Sequence, residues 1–93
     1  MKNEPLDGPT AAALAKRALA AGAVAFSAHA LQSMKQRGIT TTDCASVLRG
    51  GWVGTSEEVL GSWRYQFLTA KICLIVAFRS ETEIVVITAW RLP

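Results

Sequence analysis

Residues 63–90 read WRYQFLTAKICLIVAFRSETEIVVITAW. Over 63–67 the pattern has a period of two. Trp63, Tyr65 and Phe67 share one face of an extended chain, and Arg64 and Gln66 share the other. The run ICLIVAF, 72–78, is apolar on both faces and predicts a central strand. SET, 80–82, predicts a hairpin turn, and the β-branched run EIVVITAW, 83–90, a second buried strand. A further short strand around 52–53 or 57–60 would pair with the strand at 63–68.

Upstream of this meander the period is helical. Thr10 is a plausible N-cap for a helix over about 11–21, which Gly22 stops; its thin apolar face is Leu14, Ala15, Ala18 and Leu19. FSAHALQSMKQRGI, 26–39, predicts a second helix with Ser27 as N-cap and Gly38 just past its end. Ala30, Leu31 and Met34 form its core stripe. A third helix starts at Thr40 or Thr41, with Thr40 and Asp43 in a capping box and Cys44, Val47 and Leu48 facing inward. Gly50-Gly51 end it. The expected fold is therefore α+β: N-terminal helices packed on a C-terminal antiparallel sheet of three to four strands. One domain covers 1–93, with a flexible lead-in at 1–9, a helical part at 10–50 and a β-meander at 51–93.

Composition narrows the class. The 93 residues are 51% hydrophobic, outside the disordered range, and carry a net charge of +3. The excess lies in residues 1–50, where Lys2, Lys16, Arg17, Lys35, Arg37 and Arg49 oppose Glu4, Asp7 and Asp43. Such a bias admits an anionic partner without demanding one. Cys44 and Cys73 sit among apolar residues and read as reduced, buried thiols of a cytoplasmic protein. With a single histidine, no zinc-ligand spacing exists, so no metal and no cofactor is expected. Lys16 and Arg17 interrupt the apolar run at 11–26, which excludes it as a signal peptide or membrane span.

His29 falls near N2 of the second helix, on one face with Ser33 and Gln36 or Arg37. A histidine titrates near neutrality, so it suits acid–base transfer at an RNA 2′-hydroxyl; equally, it suits a structural hydrogen bond. Arg64, Tyr65, Lys71, Arg79 and Arg91 lie in or beside the strands. Cations stabilise a phosphorane and a tyrosine hydroxyl can orient or donate, whereas the same charges also guard sheet edges. Trp52, Trp63 and Trp90 either stack bases or fill core and interface. The glycines at 50, 51 and 54 do not make a phosphate loop.

FSAHALQSMKQRGI, VLRGG, GSWRYQF and IVVITAW together resemble a bacterial domain family of unassigned function, over about residues 24–91. Its pattern is roughly F-S-x-H-A-x-x-R-M-x-x-R-G-I. Ser33 stands where that family often carries a basic residue, which thins the basic face of the helix. In element order the chain is also similar to the MqsR-like toxins of toxin–antitoxin modules, which are metal-independent mRNA interferases with a RelE-like α+β fold. By that resemblance Arg64 falls at a polar active-site position and Arg91 at a basic one. Cys73 falls where those toxins have a functional tyrosine, and Tyr65 would substitute for it.

Two functions follow as expectations. One is a toxin-type, metal-independent ribonuclease that works by attack of the RNA 2′-OH. His29, Arg64, Tyr65 and Arg91 would be catalytic, Lys35, Arg37 and Lys71 would bind substrate, and RNA and a cognate antitoxin would be the partners. The other is a non-catalytic binding or regulatory module acting through a protein partner, with the apolar tail TAWRLP as a contact surface.

Overall fold

The structure, a computed structural model, describes residue 1 and residues 3–93; Lys2 lies outside the described residues. Eight elements follow one another: α1 (Gly8–Ala20), β1 (Val24–Phe26), α2 (Ala28–Arg37), α3 (Thr41–Gly50), β2 (Trp52–Val59), β3 (Ser62–Leu68), β4 (Ile72–Phe78) and β5 (Ile84–Arg91). The class is α+β, with the helices before most of the sheet. The sheet has five strands in the order β1-β5-β4-β3-β2, one more than the three to four expected. The strands β2 to β5 form the antiparallel meander, and β1 joins β5 in parallel. At three residues, β1 is too short to carry a periodic signal. It is held by Ile84 N–H donating to the Ala23 carbonyl (3.1 Å) and Ser27 N–H donating to the Val86 carbonyl (3.0 Å).

Local chemistry sets the helix ends. Asp7, not Thr10, caps α1: its Oδ1 accepts the Thr10 N–H at 2.8 Å. Pro9 thus lies inside the first turn, where its missing N–H costs nothing and its fixed φ suits the helix. In α2, Ser27 accepts the Ala30 N–H at 3.0 Å, and Gly38 closes the helix at φ 65 in the left-handed region. The Thr40–Asp43 capping box forms in both directions, at 2.9 and 3.0 Å.

The lead-in is tied to the sheet. Tyr65 Oη accepts the Leu6 N–H (3.0 Å) and donates to Glu4 Oε2 (2.7 Å). Tyr65 is fully buried and meets Phe78 edge to face, with ring centroids 5.3 Å apart. The core lies between the helices and one face of the sheet, built from Tyr65 and Phe67, Leu74 and Val76, and Ile84 and Val86 against α1 and α3. On α2 the buried residues are Ala30, Ser33 and Met34, whereas Leu31 is 51% exposed. That corrects the expected stripe. The main packing partner of α2 is β5, with Met34 also meeting Cys44 of α3, so its buried face is narrow and Leu31 falls outside it.

Cys73, Ala77 and Val85 are also buried but stand apart from this core. They lie on the second sheet face, where among the described residues no helix packs. A register break between Ile75 and Val76 sets what else lies there: Val86 pairs with Val76, yet Thr88 pairs with Ile75, which leaves Ile87 as an extra residue. Past it, Ala89 joins the core and Trp90 sits opposite Cys73 on the open face.

Gly51 joins α3 to β2 at a tight crossing. A Cβ there would lie 2.4 Å from the Leu68 carbonyl oxygen and 2.6 Å from that of Val47. Neighbouring Gly50 has open space. Gly51→Ala is expected to cost about 2 kcal/mol in urea unfolding, while Gly50→Ala stays within about 0.5 kcal/mol of the parent.

Candidate functional site

The four side chains expected to form a catalytic group do not meet. Adjacent strand residues point to opposite faces, so Arg64 and Tyr65 cannot share a site. Tyr65 is on the helix side, sealed by the N-terminal segment; Arg64 is on the open face. Burial, with the Glu4 carboxylate beside it, pushes the Tyr65 hydroxyl up to about 12, although the Leu6 N–H pulls the other way. A phenol so placed serves as a pin between the lead-in and the sheet.

Arg91 is also engaged. It pairs with Ile72 near the end of β5, and its guanidinium reaches the end of α2. There Nε donates to the Arg37 carbonyl and one terminal nitrogen to the Gly38 carbonyl, both at 2.9 Å. These acceptors belong to the last turn of α2, which lacks intrahelical donors for them. The planar fork of arginine suits two neighbouring carbonyls. Asp43 is close enough that the Arg91 charge helps to lower its carboxyl, after the hydrogen bonds from Thr40.

His29 is exposed at N2 of α2. Eight residues separate it from Arg37, or about 12 Å along the helix axis. It therefore lies at the far end of α2 from Arg91, and across the sheet plane from Arg64. Ser33, expected on the same exposed face as His29, is buried.

Two arrangements do form. The first is a basic corner. Lys35 and Arg37 occupy the last turn of α2, and Arg91 is bonded there. Lys71 lies beside it, since its carbonyl accepts the Leu92 N–H at 2.8 Å. All four side chains are exposed, and Asp43 is the carboxylate among them. The second is the open face. At the end next to the basic corner, Trp90, Cys73, Leu68 and Trp52 follow one another across four strands. Trp52 is 57% exposed. Beyond them come Thr88, Ile75 and Gln66, then Val85, Ala77, Arg64 and Glu57.

Of the expected substrate-binding residues, Lys35 and Arg37 share the last turn of α2 and Lys71 lies beside the end of β5, with Arg91 tying that helix end to the sheet. Single-residue reading missed the pairing of Glu57 with Arg64 and the joint placement of Trp52 and Trp90. The bulge between Val53 and Ser56 breaks the period-two pattern over 52–59, so even the face of Glu57 could not be read along β2, and its partner is a matter of register. Burial pushes the thiols of Cys44, to about 11, and Cys73 upward, which disfavours thiolate chemistry. Among the described residues no group of three or more His, Cys, Asp or Glu is placed to hold a metal ion, and no helix is long and apolar enough to cross a membrane.

Residues 26–91 match the family described as Domain of unknown function (DUF4258), and the chain belongs to that family. No curated protein and no solved structure matches it. The matched segment contains α2, α3 and β2 to β5, while α1 and the segment that pins Tyr65 precede it.

Two pins can be tested by stability. Tyr65→Phe leaves the Glu4 carboxylate and the Leu6 N–H without their partner and is expected to cost about 1–2 kcal/mol at neutral pH. The folded-state value of Tyr65 lies above the ordinary one near 10. Its contribution is therefore complete below pH 10 and is lost as pH rises through 12. The urea midpoint of the wild type should fall towards that of Tyr65→Phe over this window and not at lower pH. Separately, Arg91→Ala is expected to lose about 1–2 kcal/mol, and Arg91→Lys to recover less than half of it, because an ammonium cannot reproduce the fork.

Proposed function

We propose that this domain binds single-stranded RNA, with phosphates at the basic corner and bases on the open sheet face. The observation that carries it is the chain proximity of cations and indoles at one end of the sheet. Arg91, tied to the turn of α2 that bears Lys35 and Arg37, follows Trp90 in β5, Lys71 precedes β4 beside it, and Trp52 lies in the same row as Trp90. Lysine and arginine neutralise phosphates without regard to sequence, and indole faces stack on any base. An exposed sheet with aromatic side chains is a surface on which unpaired bases can lie flat. The charge excess of the N-terminal half gains a location through Lys35 and Arg37.

The enzymatic form of this proposal is a toxin-type, metal-independent ribonuclease in which the RNA 2′-OH attacks the neighbouring phosphate. His29, exposed on α2, is its candidate proton-transfer residue; Tyr65 and Arg91 support the fold. A second reading, a module that acts through a protein partner such as an antitoxin, is favoured by the 57% exposure of Trp52 beside Leu68.

Fluorescence anisotropy with a labelled single-stranded RNA tests the binding. The affinity should fall steeply with salt, and Arg37→Ala and Lys71→Ala should each lower the salt slope by about 1. Trp90→Ala should cost about 1–3 kcal/mol of binding. Shortening of the strand that is lost in His29→Ala supports the enzymatic form; an intact strand in both leaves binding alone. Absence of salt-sensitive binding, with a small protein co-purifying over Trp52, selects the second reading.

A further inference from the structure

Further along the open face, a pocket of about 210 Å³ is lined by Thr55, Glu57, Val59, Arg64, Gln66 and Ile75. It falls below the range of pockets for drug-sized ligands and suits one flat ring system. Arg64 and Glu57 stand directly opposite each other on β3 and β2 but form no ion pair. Arg64 Nε is buried and has no hydrogen-bond partner. A buried donor without an acceptor is costly, and such groups in a folded protein call for an explanation. Gln66 Oε1 accepts from the Thr55 N–H (3.2 Å) and the Thr55 hydroxyl (3.1 Å). That fixes the amide and leaves its NH₂ group as a further donor. Val59 and Ile75 supply apolar surface between these polar groups.

We infer that this pocket takes a single guanine base, from an RNA strand or from a free guanine nucleotide. Guanine presents acceptors, O6 and N7, next to donors, N1–H and N2–H₂. Arginine donates in a fork that fits the O6/N7 pair. A carboxylate accepts from the N1–H and N2–H₂ pair, as Glu57 is placed to do from the neighbouring strand. Adenine keeps the N7 acceptor but replaces O6 by the N6–H₂ donor, which would face the second Arg64 donor, and it turns a bare N1 and a C2–H to the Glu57 carboxylate. Uracil offers Glu57 one N–H flanked by two carbonyl oxygens that repel it. The pocket therefore discriminates through the unpaired groups that a wrong base leaves behind. The inference deepens the RNA-binding proposal, and only its RNA arm rests on that proposal.

The test uses the full chain in two arms. In the first, GMP and AMP are titrated separately and followed by amide shifts in NMR. GMP should shift Thr55, Glu57, Arg64 and Gln66 saturably, and AMP should bind at least about tenfold more weakly. Glu57→Gln, at an exposed position, should keep the urea midpoint and lose about tenfold of GMP affinity while leaving AMP unchanged. In the second arm, oligouridylates with and without one central guanosine are compared by anisotropy, and the guanosine should tighten binding by a similar factor. GMP shifts elsewhere, or equal affinity for AMP, would overturn the guanine pocket. Tight binding of all strands without GMP shifts at these residues removes the pocket and keeps the RNA-binding proposal. GMP shifts at the pocket without binding of any strand keep the pocket and remove that proposal.

Discussion

The extra residue at Ile87 is the constraint on which the rest of this surface depends. A strand alternates its side chains strictly, so one inserted residue exchanges the faces of everything after it. Before the bulge, Ile84 and Val86 face the helices; after it, Ala89 does. A regular β5 would have sent Thr88 and Trp90 under α2 and turned Arg91 to the open side. The bulge instead gives α2 a small alanine to pack near and a guanidinium to close its end. It also leaves Trp90 at the end of the open face, one residue before the arginine that closes α2. Both halves of the proposed RNA surface follow from that single offset.

A second consequence comes from covering only one face of the sheet. The helix side holds the large buried side chains, and the hydroxyl of Tyr65 is satisfied there by residues 4–6, which precede the segment that matches the family. That segment contributes a hydrogen-bonded closure over a phenol that burial keeps protonated. On the other side, small residues such as Ala77 and Cys73 are buried although no second layer packs there among the described residues. Burial of this kind leaves Arg64 with a desolvated nitrogen but no intramolecular acceptor. Edge charges alone would remain hydrated, so the orphaned Nε separates Arg64 from an ordinary edge cation.

Much of this was legible along the chain. The alternation at 63–67 correctly separated Tyr65 from Arg64, and placing both in one catalytic group disregarded that separation. Ser27, Gly38 and the Thr40–Asp43 box marked their helix ends because capping is local chemistry of a few residues. The start of α1 was misplaced because Pro9 and Gly8 read as breakers, whereas proline within a first turn favours a helix. Leu31 belongs to the helical stripe but not to the core, because the stripe is wider than the face α2 presents to β5 and to Cys44 of α3. The basic corner could not be read from spacing, since Lys71 and Arg91 reach Lys35 and Arg37 only through strand pairing and a contact 54 residues apart in sequence.

By itself the sequence determined the α+β class, the three helices, the meander and the two faces of β3. Each of these rests on periodicity or on capping within a few residues. Only the tertiary structure decided the fifth strand, the reversal of faces along β5, the burial of Tyr65 under the N-terminal segment and the neighbours of each cation. Those depend on register and on pairing between distant segments. A shift of one residue there exchanges inside for outside while the local pattern stays the same.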